Sequence, residues 1–428
     1  MLSGTLALAS VECPVKTRVP FIACLCGGLC TASVSAQAGP EHLNPEAANS
    51  TGARAYVYVS ASAGNTNRAE IYAFAAARNG RLTPVGQSPF QYNVTFMATN
   101  GLYLFGSDAS GTYIHAYQIG ADGALRYAAS TSVVQAKNGC DSPGALFLDH
   151  TGATVYNVDY YGAHCADTAY QAFAVEKTSG SLRLIDQAPV GAAGSILRFA
   201  GNNSFAYGAG CGRSNPSVYG YIRKSDGSLT RLDSRMPIPA GTPAWCPRLA
   251  AADTANHVAV AMVPASGAHQ PSGPYQLATY TQNEDGALAT SSTSENMPKV
   301  AVGDVTDIYM SPSGKFLAVA GTSGLQIFHF NGSNPMTALT GLLIRQEVDQ
   351  MFWDNDDHLY ALSQSAGKLW VFTVTEETLT PAPGSPWLIP GAQNIVVQPW
   401  PLPWSASEAR VDTAAKGNDR RVAIAAAR

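Results

Sequence analysis

Charge is scarce in this chain: Asp, Glu, Lys and Arg together make up 13% of its 428 residues. The 26 basic residues are outnumbered by 30 acidic ones, which leaves a formal charge of −4 and no Lys/Arg-rich run. A surface of that kind cannot neutralise a row of phosphates, so nucleic acid is excluded as a partner. Also missing are the short motifs that announce particular chemistries. No CxxC, HxH or HExxH spacing offers a metal its ligands, no GxSxG turn exposes a nucleophilic serine, and no glycine-rich loop cradles a phosphate. The expectation is therefore a protein without metal or cofactor. His115, His150, His164, His257, His269, His329 and His358 are scattered through the chain. The acidic run Asp354-Asn355-Asp356-Asp357 could offer oxygens to calcium, but it stands where other repeats carry a turn, which favours an Asx-rich hairpin.

What is plentiful is apolar and turn-forming: 46% hydrophobic residues, with 40 Gly and 26 Pro. That balance favours many short buried strands joined by tight turns. The first 38 residues differ from the rest. Lys16 and Arg18 precede an apolar stretch over residues 19–29, and Ala36-Gln37-Ala38 supplies small residues at the positions a signal peptidase reads. The stretch is shorter than the roughly 20 residues that span a bilayer and is interrupted by Gly27-Gly28, so it reads as a secretory signal and not as an anchor. The protein is expected to be exported to the periplasm or beyond, with no membrane insertion after cleavage. Export removes Cys13, Cys24, Cys26 and Cys30 and leaves Cys140, Cys165, Cys211 and Cys246. In an oxidising compartment an even number suggests disulfides, and of the possible pairings Cys140–Cys165 and Cys211–Cys246 each join loops of consecutive repeats.

Those repeats are the strongest signal in the chain. Short buried strands recur as Tyr56-Val57-Tyr58-Val59, Tyr103-Leu104-Phe105, Thr154-Val155-Tyr156, Phe205-Ala206-Tyr207, His257-Val258-Ala259-Val260, Phe316-Leu317-Ala318-Val319 and Leu359-Tyr360-Ala361-Leu362. Their spacing, roughly 45–60 residues, is that of one four-stranded propeller blade. A strand of alternating aromatic character follows each, as in Ile71-Tyr72-Ala73-Phe74. A hairpin then recurs as Asn79-Gly80, Asp122-Gly123, Ser179-Gly180, Asp226-Gly227 and Asp285-Gly286, each two residues before a Leu. Glycine there accepts the positive φ of a tight turn. Near the end, Asn394-Ile395-Val396-Val397-Gln398-Pro399 matches the first strand of a repeat, but no further strands follow it, whereas the segment at 55–59 has no such strand before it. The predicted fold is an all-β, seven-bladed propeller over residues 55–400, closed by the two ends of the chain sharing one blade. Residues 1–38 are the signal, 39–54 a linker and 401–428 a disordered tail. The expected assembly state is a monomer.

Seven repeats of this length, the Asp-Gly-x-Leu hairpins, the stretch Ser311-Pro312-Ser313-Gly314-Lys315-Phe316 and the segment Leu379-Thr380-Pro381-Ala382-Pro383-Gly384-Ser385-Pro386-Trp387 resemble the lactonase-type seven-bladed propellers, which include 6-phosphogluconolactonases and carboxymuconate cyclases. The resemblance implies hydrolysis of a small-molecule lactone or sugar-derived ester by His, Arg and Glu side chains at the mouth of the central channel. The family's Pro-His-x-His motif has no counterpart here. The corresponding place in the sixth first-strand reads Gly303-Asp304-Val305-Thr306-Asp307-Ile308.

Candidate residues follow from asking which side chains reach that channel. Aligned by repeat, Val94, Ala145, Ile196, Arg248, Asp307, Gln350 and Asn394 fall at one equivalent position. Arg248 and Asp307 are thus expected as neighbours, with Asp304 and Glu347 near the same rim. An Arg flanked by carboxylates can hold a substrate carboxylate while an acid polarises a ring oxygen, with Gln350 and Asn394 as further ligand contacts. The same set serves equally well as a buried ion pair without a ligand. A second functional reading is a non-catalytic exported propeller that binds a ligand or protein through its top-face loops, including the inserted segment 262–274.

Overall fold

A computed structural model describes residues 52–399, apart from segments 63–68, 109–111, 134–143, 159–168, 191–195, 212–215 and 267–269 and positions 202, 234, 235, 242 and 272. The expected signal (1–38), most of the linker (39–54), the tail (401–428), and Cys140 and Cys165 lie outside the described residues. All secondary structure described is β-strand and turn.

Seven antiparallel sheets follow one another along the chain, and each has a path of four strands. The innermost strands of blades 2 to 7 are Met97–Thr99, Leu146–Leu148, Arg198–Ala200, Ala244–Ala252, Val305–Met310 and Gln350–Trp353. Blade 1 takes its innermost strand from the other end of the chain. Ala392–Pro399 pairs antiparallel with Ala55–Ser62, Val396 opposite Tyr58, so the ring is closed by ordinary ladder hydrogen bonds as the sequence predicts. Blades 5 and 7 each carry one further short strand, Gln270–Pro271 and Trp387–Leu388.

Packing between blades explains the aromatic repeats. The recurrent tyrosine of the second strand is buried against the next blade, and its hydroxyl donates to the glycine carbonyl of that blade's outer hairpin: Tyr58 to Gly123 at 3.0 Å, Tyr156 to Gly227 at 2.7 Å and Tyr207 to Gly286 at 2.8 Å. An apolar body with a polar tip suits this place, because the phenol would otherwise be buried unsatisfied. Glycine is required at the hairpin for two reasons. Gly123 has φ of +81°, and a Cβ there would sit 2.4 Å from the Tyr56 ring.

The disulfide expected between Cys211 and Cys246 is present, joining the second strand of blade 4 to the inner strand of blade 5. The acidic run of blade 7 forms a turn: Asp354 Oδ1 accepts from the Asp356 and His358 amides, and Oδ2 accepts from the Tyr360 hydroxyl at 2.9 Å and faces His358 Nδ1 at 2.8 Å. This is the Asx-rich hairpin reading of that segment. His358 is buried beside it. Burial alone would lower its pKa, but Asp354, Asp356 and the Arg78 carbonyl together raise it.

Candidate functional site

Side chains of an innermost strand alternate between the channel and the neighbouring blades. Exposure reveals which is which: Asp307, Tyr309, Gln350 and Phe352 are partly exposed, whereas Ile308 and Met351 between them are buried. Strand registers then define two layers. Tyr58, Phe105, Tyr156, Tyr207, Ala259, Ala318 and Tyr360 are equivalent in the second strands and face Val396, Ala98, Phe147, Arg198, Ala251, Tyr309 and Phe352. Two residues upstream lies the layer of Asn394, Phe96, Ala145, Ile196, Leu249, Asp307 and Gln350.

This corrects the sequence alignment at two places. Phe96 stands where Val94 was expected; Val94 is buried in the core between blades 1 and 2. Leu249 stands where Arg248 was expected, because the inner strand of blade 5 bulges between Pro247 and Leu249 and Arg248 is the extra residue. Comparable irregularities fall before Asp307 and before Asn394, so the bulge is a repeated feature of the ring.

The channel is chemically lopsided. In the upstream layer the polar residues Asp307, Gln350 and Asn394 come from blades 6, 7 and 1, and the apolar ones from blades 2 to 5. Each polar side chain accepts from the amide of the next inner strand, one position further along: Asp307 Oδ2 from Met351 N at 2.9 Å, Gln350 Oε1 from Ile395 N at 2.9 Å and Asn394 Oδ1 from Met97 N at 3.0 Å. Asn394 Nδ2 also donates to Gln350 Oε1 at 3.0 Å. Innermost strands have a free ladder edge, and this relay satisfies part of it.

Asp307 keeps its other oxygen for the channel, 3.6 Å from Arg198 Nη2. The strands bearing Arg248 and Asp307 are neighbours, but the ion-pair partner of Asp307 is Arg198, two blades away. Arg198 can cross because the intervening blade 5 presents only Ala251 in that layer. Its guanidinium lies 4.4 Å from the centroid of the Tyr309 ring, which packs on Phe352 at 5.0 Å. Burial raises the Asp307 carboxyl to about 6, against the opposing pull of Arg198 and the amides of Met351 and Ile308. The site thus holds a carboxyl that titrates near neutrality beside a fixed cation.

Arg248 and Asp304, both exposed, each act on the buried Tyr275. Burial pushes the Tyr275 hydroxyl up, a hydrogen bond and charge from Arg248 pull it down, and Asp304 pushes it up again. Glu347 is half-buried in the segment leading to blade 7. Sequence reasoning missed Arg198. It lies two residues beyond Ile196, on the same side of its strand, so extending the alignment by one strand period would have found it.

No protein-family model and no curated protein matches this chain. Solved structures do. A protein from Lactobacillus plantarum is 15% identical with a TM-score of 0.59, over 80% of this chain and 99% of the other. A candidate 6-phosphogluconolactonase from Bacteroides fragilis is 13% identical with a TM-score of 0.59, over 82% and 99%. The periplasmic gluconolactonase of Pseudomonas aeruginosa is 14% identical with a TM-score of 0.59, over 80% and 98%. At these identities the shared property is the fold: this chain is a seven-bladed β-propeller of the architecture those proteins have.

Proposed function

We propose that this protein is an exported hydrolase that opens a lactone, or cleaves a related ester, in its central channel. The observation that carries the reading is the Arg198–Asp307 pair: a carboxyl raised to about 6 by burial, 3.6 Å from a guanidinium, on strands facing one channel.

In this mechanism the ester carbonyl points its oxygen at Arg198. The ionised Asp307 Oδ1 takes a proton from water as the water oxygen bonds to the carbonyl carbon. Arg198 stabilises the resulting oxyanion. When the tetrahedral intermediate collapses, the C–O bond to the leaving oxygen breaks and Asp307 returns the proton to that oxygen, giving a hydroxy acid or, from an open ester, an acid and an alcohol. The Met351 amide holds Oδ2, so the working oxygen stays aimed into the channel. Arg248, Asp304 and Glu347 act at the channel's upstream end, where they admit and orient the substrate, and Gln350 and Asn394 contact it from the polar wall. The signal-like N-terminal segment supports export, and the Pseudomonas neighbour is itself described as periplasmic.

The test is lactone hydrolysis followed by proton release for wild type, Asp307→Asn and Arg198→Ala. The proposal expects wild-type turnover and losses of more than about 100-fold in both variants. A folded wild type that hydrolyses no lactone or ester would leave a propeller that only binds.

A further inference from the structure

Resting on the hydrolytic reading, we propose that the substrate is an apolar lactone or ester, one with an alkyl or aryl substituent, and not a polyhydroxylated sugar lactone. The argument is the distribution of polar groups in the channel. In the layer of Asp307, the walls of blades 2, 4 and 5 are Phe96 and Ile196, just before their innermost strands, and Leu249, on its own; all three stay partly exposed. Phe96 and Ile196 pack in part on the core between blades 3 and 4 and Leu249 on that between blades 5 and 6, and what remains exposed is the apolar surface open to a channel ligand. One layer further on, Tyr309 and Phe352 add aromatic faces, while Ala98, Ala251 and Val396 add no polar atom.

The polar groups of these layers are largely committed. Asn394 uses Oδ1 on Met97 N and Nδ2 on Gln350, and Gln350 Oε1 receives two donors. Asp307 Oδ2 is held by the Met351 amide. What faces a ligand is one carboxylate oxygen, one guanidinium, one amide NH₂ and the Tyr309 hydroxyl, itself hydrogen-bonded to Arg198. That set suffices for a single ester group. A sugar lactone would bring several hydroxyls, each wanting a donor or acceptor, and most would be turned toward Phe96, Ile196 and Leu249 and lose the bonds they had in water. An alkyl or aryl group in the same place gains from leaving water. The asymmetry also sets the orientation: ester toward blades 6 and 7, substituent toward blades 2 to 5.

The experiment measures kcat/KM of the full secreted chain, by proton release, on glucono-δ-lactone, δ-valerolactone, δ-nonalactone and dihydrocoumarin, each corrected for its spontaneous hydrolysis. The expected order places δ-nonalactone and dihydrocoumarin at least tenfold above glucono-δ-lactone. At about fourfold per buried methylene, δ-nonalactone should also exceed δ-valerolactone. Leu249→Asn, checked for an unchanged thermal unfolding profile, should lower the ratio of δ-nonalactone to δ-valerolactone turnover. If glucono-δ-lactone is hydrolysed as well as or better than δ-nonalactone, the inference is wrong while the hydrolytic reading stands. If nothing is hydrolysed, the hydrolytic reading fails, and calorimetric titration with the same compounds decides the rest. Tighter binding of δ-nonalactone than of glucono-δ-lactone supports an apolar channel, and equal or weaker binding overturns it.

Discussion

Replacing Asp307 with asparagine separates what the fold needs at that position from what the chemistry would need. The carboxyl is raised from 3.8 to about 6, and its side chain is 18% exposed, so its ionised form is disfavoured in the folded protein relative to the unfolded chain. At 1.36 kcal/mol per pKa unit, the difference amounts to about 3 kcal/mol, an upper bound for a group with some access to solvent. The sign follows from proton counting. A folded pKa above the unfolded one means the native state holds the extra proton, so the stability contributed by this group is complete below pH 3.8 and is lost as the pH rises through about 6. Asparagine keeps the neutral shape and can still accept from the Met351 amide, but it cannot ionise. Urea denaturation of both proteins across pH 4 to 8 should therefore show the variant gaining on the wild type as pH rises, by about 1–3 kcal/mol at pH 7.5, while hydrolysis is lost. A difference in stability that stays flat with pH, or that favours the wild type at pH 7.5, would refute the assignment of a raised carboxyl pKa.

Other expectations concern the ring. Asn394→Ala leaves the Met97 amide without its acceptor and removes one of the two donors to Gln350 Oε1, and denaturant midpoints should report a loss of about 1–3 kcal/mol. Removing the Cys211–Cys246 bridge, which spans 35 residues, should cost up to about 4 kcal/mol, read from the same curves with and without reductant. Gly123→Ala must place a side chain at φ of +81° against the Tyr56 ring, so thermal unfolding should shift down by several degrees. His358, whose pKa is raised, contributes stability that is present below its unfolded pKa of 6.5 and lost as pH rises through the folded value; His358→Gln should remove that slope above pH 6.5.

Much of the architecture is legible in the residues because each blade repeats the same local physics. The Asn-Gly and Asp-Gly hairpins, the period-two aromatic strands and the orphan strand at 394–399 each demand one kind of neighbour, and together they demand a closed ring. The channel lining was read less well. A β-bulge changes which residue faces inward without leaving a mark in composition, so Arg248 was assigned Leu249's place. The reach of Arg198 to Asp307 depends on the small Ala251 between them, a three-dimensional coincidence that no spacing along the chain encodes.

The central claim is that the Arg198–Asp307 pair receives an ester carbonyl inside the channel. A crystal structure of the protein with a δ-lactam analogue of an alkyl δ-lactone tests it directly. The account predicts the lactam oxygen within hydrogen-bonding distance of the Arg198 guanidinium, its ring beside Asp307 Oδ1 and its alkyl chain against Ile196 and Leu249. An analogue bound at the outer loops, or a channel that stays filled with water at saturating ligand, would contradict it.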